Sequence, residues 1–222
     1  MASTFGIAAD LLGLAAANTV TSQEVGGPNE QSQNATCPNS SGSVTEETVY
    51  GLKSLYTQTY EVNTGGSIDI ANVGDLINTS YLHLGGSARY SLTGETGVMV
   101  TFNVRSVPAA FASTREFDTG LTITGAPGIP DYLFTTVAGA ATALSIDWGT
   151  SDFDGLDGSG DVVAVECAAC RISVTVEMQL CSGTPSLTWA AGYTDESKDV
   201  IATTNTGYPV YTFQAFKNVT EE

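Results

Sequence analysis

Positive charge is what this chain of 222 residues has least of. Seven Lys and Arg stand against 24 Asp and Glu, with one histidine, for a net charge of -17. Between Arg115 and Arg171 there are nine acidic residues and no basic one. Such a field repels phosphate backbones and argues against a surface that grips DNA or RNA. The few cations, Lys53, Arg89, Arg105, Arg115, Arg171, Lys198 and Lys217, are scattered singly. Such isolated cations pair with acids at contacts or cover strand faces. With His83 alone, a site built on several histidines is excluded.

Other motifs are missing as well. No G-x-S-x-G elbow accompanies His83, which argues against a serine hydrolase of that type. No G-x-x-x-x-G-K loop and no G-x-G-x-x-G after a strand is present, so nucleotide sites have no support. The expectation is a protein that is not an enzyme. His83 in Tyr-Leu-His-Leu is expected to be a strand residue with a hydrogen-bonded ring. The longest apolar stretch near the start, Phe5 to Ala17, contains Asp10. It is shorter than the ~20 residues of a spanning helix and has no basic flank of a secretory leader. A short helix or an assembly arm is expected there, and no membrane partner. The sequons at Asn34, Asn39, Asn78 and Asn218 are expected by chance in a chain rich in Ser and Thr.

What is present points to strands. Glycine is abundant at 24 residues, and apolar residues make up 42%. That suits short strands joined by tight turns. Ile172, Val174, Val176, Met178 and Leu180 alternate with Arg171, Ser173, Thr175, Glu177 and Gln179, the pattern of a half-buried antiparallel strand. Val98, Val100, Phe102 and Val104 alternate similarly before Pro108. A strand is also expected over 49–62, with Tyr50, Leu52, Tyr56, Tyr60 and Val62 on one parity. Shorter strands are expected at 19–25, 68–70, 81–84, 121–124, 144–148, 186–191 and 208–217, and a helical turn at 73–78. Residues 26–43 hold almost no hydrophobe and are expected to be a long polar loop. The fold expected is all-β, an antiparallel β-sandwich or β-barrel with at most one or two short helices and an N-terminal arm. Its organisation is an arm with a first strand over 1–25, the loop over 26–43 and one β domain over 44–222.

Two residue groups are candidates for chemistry. Asp152, Asp154, Asp157 and Asp161 lie in SDFDGLDGSGD. Closely spaced carboxylates on a glycine-turned backbone suit calcium, which takes many oxygen ligands. The register is not that of an EF-hand: Leu156 stands at a ligand position and no Glu closes the loop. The alternative is a solvated turn. Four cysteines stand at 37, 167, 170 and 181. Cys167 and Cys170 are open to three readings: buried thiols, a disulfide, or part of a zinc site that recruits Cys181 and Cys37. No other cofactor is expected.

The N-terminal run Met1-Ala-Ser-Thr-Phe5, the early strand with its polar loop, and the layout GVMVTFNV, CRISVTVEMQL, GYPVYTFQAF resemble tail-tube-like virion proteins of tailed bacteriophages. The resemblance is one of strand order and spans most of the chain. It implies a virion subunit, assembled in the host cytoplasm, whose partners are copies of itself in rings, usually hexameric, and other virion proteins. An acidic lumen would let DNA pass without sticking. Ring assembly needs strand edges and arms that add to a neighbour, so Phe5, Leu11, Leu12, Val20, Val25 and Pro28 are the inter-subunit candidates. A capsid decoration or head protein, and a calcium-stabilised surface or carbohydrate-binding module, are the alternatives. The acidity also has a general account, solubility in salty water.

Overall fold

The computed structural model describes residues 10, 12–14, 19–24, 31–38, 41, 43–91, 98–107, 115–125, 132–159, 161–203 and 208–221. Among them the chain is all-β, and every strand pairing is antiparallel. The strands are β1 (Thr19–Glu24), β2 (Gln31–Pro38), β3 (Val44–Lys53), β4 (Leu55–Val62), β5 (Ser67–Asp69), β6 (Leu76–Ile77), β7 (Tyr81–Ser91), β8 (Val98–Ser106), β9 (Thr122–Thr124), β10 (Phe134–Ala138), β11 (Ala140–Leu156), β12 (Val162–Gln179), β13 (Ser186–Trp189), β14 (Thr194–Thr203) and β15 (Pro209–Val219). Nine of them form one sheet in the order β1-β4-β8-β7-β11-β12-β15-β14, with β6 beside β7. Three two-stranded sheets, β2-β3, β5-β9 and β10-β13, complete the fold. No pairing joins β1 to β14 among the described residues, so the large sheet is open, sandwich-like rather than a closed barrel.

The alternating patterns explain the core. One face of the large sheet contributes Val62, Val100, Phe102, Ile146, Trp148, Ile172, Val174, Val176 and Met178 to a single buried cluster. The small sheets supply its other side, with Ile68 of β5, Ile123 of β9 and Phe134 of β10 in the same cluster. Phe102 is central. Its ring meets Tyr60 and Trp148 edge-on, with centroids 5.9 and 6.3 Å away. Such aromatic pairs add to the burial itself.

Several expectations change. The polar stretch expected as a loop over 26–43 contains β2, which pairs with β3 from Gln31↔Lys53 to Pro38↔Val44. Backbone pairing does not require apolar side chains. The single strand expected over 49–62 is two strands parted at Ser54, each with its own partner. The helical turn expected at 73–78 is a bridge from Val73 to Phe117 followed by β6. The segment expected to form a helix or arm lies mostly outside the described residues. Within it Asp10 and Leu12–Leu14 are not helical. The Asp10 carboxylate accepts from the backbone N–H of Gly13 and of Leu14. The Tyr60 hydroxyl lies 2.7 Å from that carboxylate and 2.8 Å from Gln58 Oε1, either of which accepts its proton. Leu12 N–H also donates to Gln58 Oε1, and Leu12 is 3% exposed, so its side chain is committed to this chain's own core. Val20 belongs to β1, where its backbone registers with Tyr60. Phe5, Leu11, Val25 and Pro28 lie outside the described residues.

Candidate functional site: the Arg105 clasp and the β11–β12 ribbon

β11 and β12 are the two longest strands, with 17 and 18 residues, and they part company with the sheet halfway along. From Ala143 to Gly149, β11 pairs with β7. The last pair is Gly149↔Gly85. Beyond it, the same edge of β7 is taken by β6, through Leu76↔Leu82 and Ile77↔Tyr81. β11 is therefore displaced, and among the described residues the strand pairing of Thr150–Leu156 is with β12. The strands approach closely at the parting point. A Cβ on Gly85, whose φ is +141°, would lie 2.3 Å from the Trp148 carbonyl oxygen, and one on Gly86 2.1 Å from that of Thr101. Only glycine fits there.

The distal half is a two-stranded ribbon, Thr150–Leu156 against Val162–Cys170. Its register shifts between Thr150↔Cys170 and Asp152↔Cys167: two residues on β11 span what three span on β12. This is a β-bulge at Ala168–Ala169. The extra residue restores the inward aim, so Cys167 and Cys170 are both buried. Both are free thiols, as is the exposed Cys181. Burial first, then Asp152, pushes Cys167 up to about 11; burial pushes Cys170 up to about 11 as well. Both stay protonated and poorly nucleophilic at neutral pH. Cys37 lies in β2, and its side chain is outside the described residues.

Beneath the ribbon lies the main electrostatic feature. Residues two apart on a strand share a face, so Asp152 and Asp154 point the same way, toward Arg105 of β8. Arg105 follows the inward-facing Val104 and so lies on the opposite sheet face, yet it is only 1% exposed. Its cross-strand neighbour Leu82 is fully buried too. Arg105 Nη1 donates to Asp152 Oδ2 at 2.6 Å and to Asp154 Oδ1 at 2.5 Å. The two carboxylates keep 18% and 20% of their side-chain exposure. Among the described residues, Arg105 Nε is buried without a hydrogen-bond partner. Removing one member of such a group leaves the others charged and poorly solvated, a cost of about 3–5 kcal/mol.

The four aspartates of the calcium reading are thus divided. Asp152 and Asp154 sit on the strand and hold Arg105. Asp157 and Asp161 form the turn, where Asp157 Oδ1 accepts from Ser159 N–H and Asp161 N–H at 2.8 and 3.0 Å. Among the described residues no three His, Cys, Asp or Glu side chains gather as a metal-binding group. The strand expected over 144–148 runs on to Leu156, so the loop of that reading shrinks to 157–161.

The ribbon's outward face differs from its underside. Phe153 on that face is 61% exposed, and past the register shift at Gly155 the tip residues Val163 and Leu156 are 52% and 40% exposed. Glu166 on that face pairs across from Phe153 and lies 3.2 Å from Arg115, which is also 3.6 Å from Glu221.

His83 is fully buried on the sheet's core face. Its Nε2 accepts from Trp148 Nε1–H at 3.2 Å, so its Nδ1–H donates to the Ala71 carbonyl at 3.0 Å. Both ring nitrogens are occupied in the neutral form. Burial lowers its pKa to about 4.

The cations are largely engaged. Arg171 pairs with Glu196 at 3.2 Å and lies over the Phe216 ring. Lys198 donates to the Pro185 carbonyl and lies over Phe213 and Tyr211. Sequence reasoning missed Arg105 as a site residue. The available signal was an arginine at the end of an apolar alternation and two acids at i and i+2 on the outer reach of a strand.

No family model matches the chain, and neither a curated protein nor a solved structure matches it.

Proposed function

We propose that this chain is a self-assembling structural subunit of a bacteriophage particle, of the tail-tube type, with an anionic surface along which DNA passes without adhering. The observation that supports this reading is the ribbon. A strand pair that runs on beyond Gly149↔Gly85, the last pairing of β11 with β7, is the kind of projecting element through which β subunits join. The charge distribution supports the second part. With Arg105, Arg115, Arg171 and Lys198 already engaged by acids, carbonyls or rings, the chain offers little to phosphate. Electron microscopy and light scattering on the purified chain test the proposal. The expected result is rings or short tubes with no DNA retained in 50 mM salt. Monomers at every concentration, or DNA binding, would overturn it.

A further inference from the structure

We infer that Glu177, Asp199 and Thr212, in one row on the outward face of the large sheet, form a binding site for a divalent cation of the calcium class. The inference goes beyond the assembly reading and uses neither the ribbon nor the 157–161 turn. Register, an unsatisfied hydroxyl and uncompensated charge lead to it.

Directly opposed residues of antiparallel strands share a face. Glu177 of β12 and Asp199 of β14 both oppose Thr212 of β15, which lies between those strands. Their chain neighbours Val176 and Phe213 are buried in the core, so the row faces the other way. Strands lie about 4.8 Å apart, which sets the Cα atoms of Glu177 and Asp199 about 9–10 Å apart with Thr212 midway. A carboxylate turned in from each side spans that gap through one shared cation at roughly 2.3–2.6 Å per oxygen. Thr212 stands at the base of the row and is 7% exposed. Among the described residues its Oγ1 is buried without a hydrogen-bond partner. Ser197, in the next row, is satisfied by contrast, donating to Gln214 Oε1 at 2.9 Å. A buried oxygen with no partner between two carboxylates is accounted for by an ion that it helps to hold.

Charge selects the occupant. Among the described residues neither Glu177 nor Asp199 makes a salt bridge. Lys198, next to Asp199 in the chain, is turned to the other face, onto the Pro185 carbonyl and the Phe213 and Tyr211 rings. Arg171 is taken by Glu196. Arg89 is on the outward face but two strands from Glu177, past Ser145. The row therefore carries two negative charges that no cation of the chain answers. Its donors are all oxygen, with no His or Cys, which suits a hard cation rather than a transition metal. Oxygens fixed to a sheet suit the long bonds and tolerant geometry of calcium better than the tight octahedron of magnesium, with water completing the shell. Two carboxylates fall short of the groups of three that are absent among the described residues, and place the affinity in the weak range, about 0.1–1 mM.

The test is calorimetric titration of calcium chloride into the chelator-treated full chain. Melting temperatures are measured alongside in about 10 mM calcium, in equal magnesium, and in sodium chloride of the same ionic strength. The expected result is one site, with a melting temperature at least about 3 °C higher in calcium than in the other two salts. Affinity should fall about tenfold or more in Glu177→Gln and in Asp199→Asn. It should fall less in Thr212→Val, whose metal-free melting temperature should not drop, because the hydroxyl removed has no partner. A double variant of the turn, Asp157→Asn with Asp161→Asn, should bind calcium like wild type. No binding heat overturns the inference. So does an equal rise in magnesium or sodium chloride, which would be screening of the net charge of -17, and so does calcium binding that survives Glu177→Gln and Asp199→Asn. Asp199 is exposed, so Asp199→Asn decides alone should Glu177→Gln fail to fold.

Discussion

The two halves of the β11–β12 pair are held by different forces. In the proximal half, Ala143–Gly149 and Cys170–Gln179 have strands on both sides, and Ile146, Trp148, Ile172, Val174 and Val176 fill the core. In the distal half no third strand is paired among the described residues, and one arginine with two aspartates joins Val165 and Cys167 in fastening the ribbon. A long strand pair is therefore not one mechanical unit. Its inner part is as stable as the sheet, while its outer part is as stable as its clasp.

The comparison can be broken at four places. The largest effect is expected from Ile172→Ala in the proximal half. It should cost about 3–4 kcal/mol and lower the urea midpoint of the whole molecule without a separate phase. Arg105→Leu should cost about 3 kcal/mol, because Asp152 and Asp154 are left without their cation. Its signature is local. Exchange protection should fall in 151–167 and not in 172–178, and Cys167 should become reactive to a thiol reagent in a Cys37→Ser, Cys181→Ser background. Equal loss of protection in both halves would show that the clasp supports the whole sheet.

Acid should act on the proximal half through His83. The unfolded imidazole titrates near 6.5 and the buried one near 4. Between these values the unfolded chain binds the extra proton, so stability falls as pH drops from about 6.5 to about 4, by up to about 3 kcal/mol. Protonation also places a donor against the Trp148 N–H. His83→Gln, which can still accept from Trp148, should flatten the pH dependence over that window relative to wild type. An unchanged slope would assign the acid sensitivity to other groups. The smallest effect is expected on the ribbon's outward face: Phe153→Ser should change the stability of the monomer by no more than about 0.5 kcal/mol, measured by chemical denaturation at low concentration. A larger loss would mean that Phe153 packs within its own chain.

The same division governs what could be read from the amino acids. Ile172 to Leu180 announces its strand because one face is buried and the other wet, the condition under which alternation is strongest. In the distal half Phe153, Leu156 and Val163 are exposed and two aspartates are turned in toward Arg105, which inverts the usual pattern and resembles a turn. The clasp joins residues 47 and 49 positions apart, and local spacing carries no trace of that. β2 and β14 were missed for a related reason: QSQNATCP and TDESKDVIAT are polar, and they are strands because a partner's backbone lies alongside. The neutral, hydrogen-bonded character expected of His83 is observed, whereas its bond to Trp148, 65 residues away, needed the fold.

The additional residue at Ala168–Ala169 has a consequence for how this chain can vary. It takes up a one-residue mismatch between the two strands. Loss of a single codon there would leave two steps on each strand between Thr150↔Cys170 and Asp152↔Cys167, a regular alternation in which Cys167 and Val165 still face inward. Loss of a second would turn Val165 and Cys167 out toward water, so this position tolerates one deletion and the ribbon's facing does not survive two.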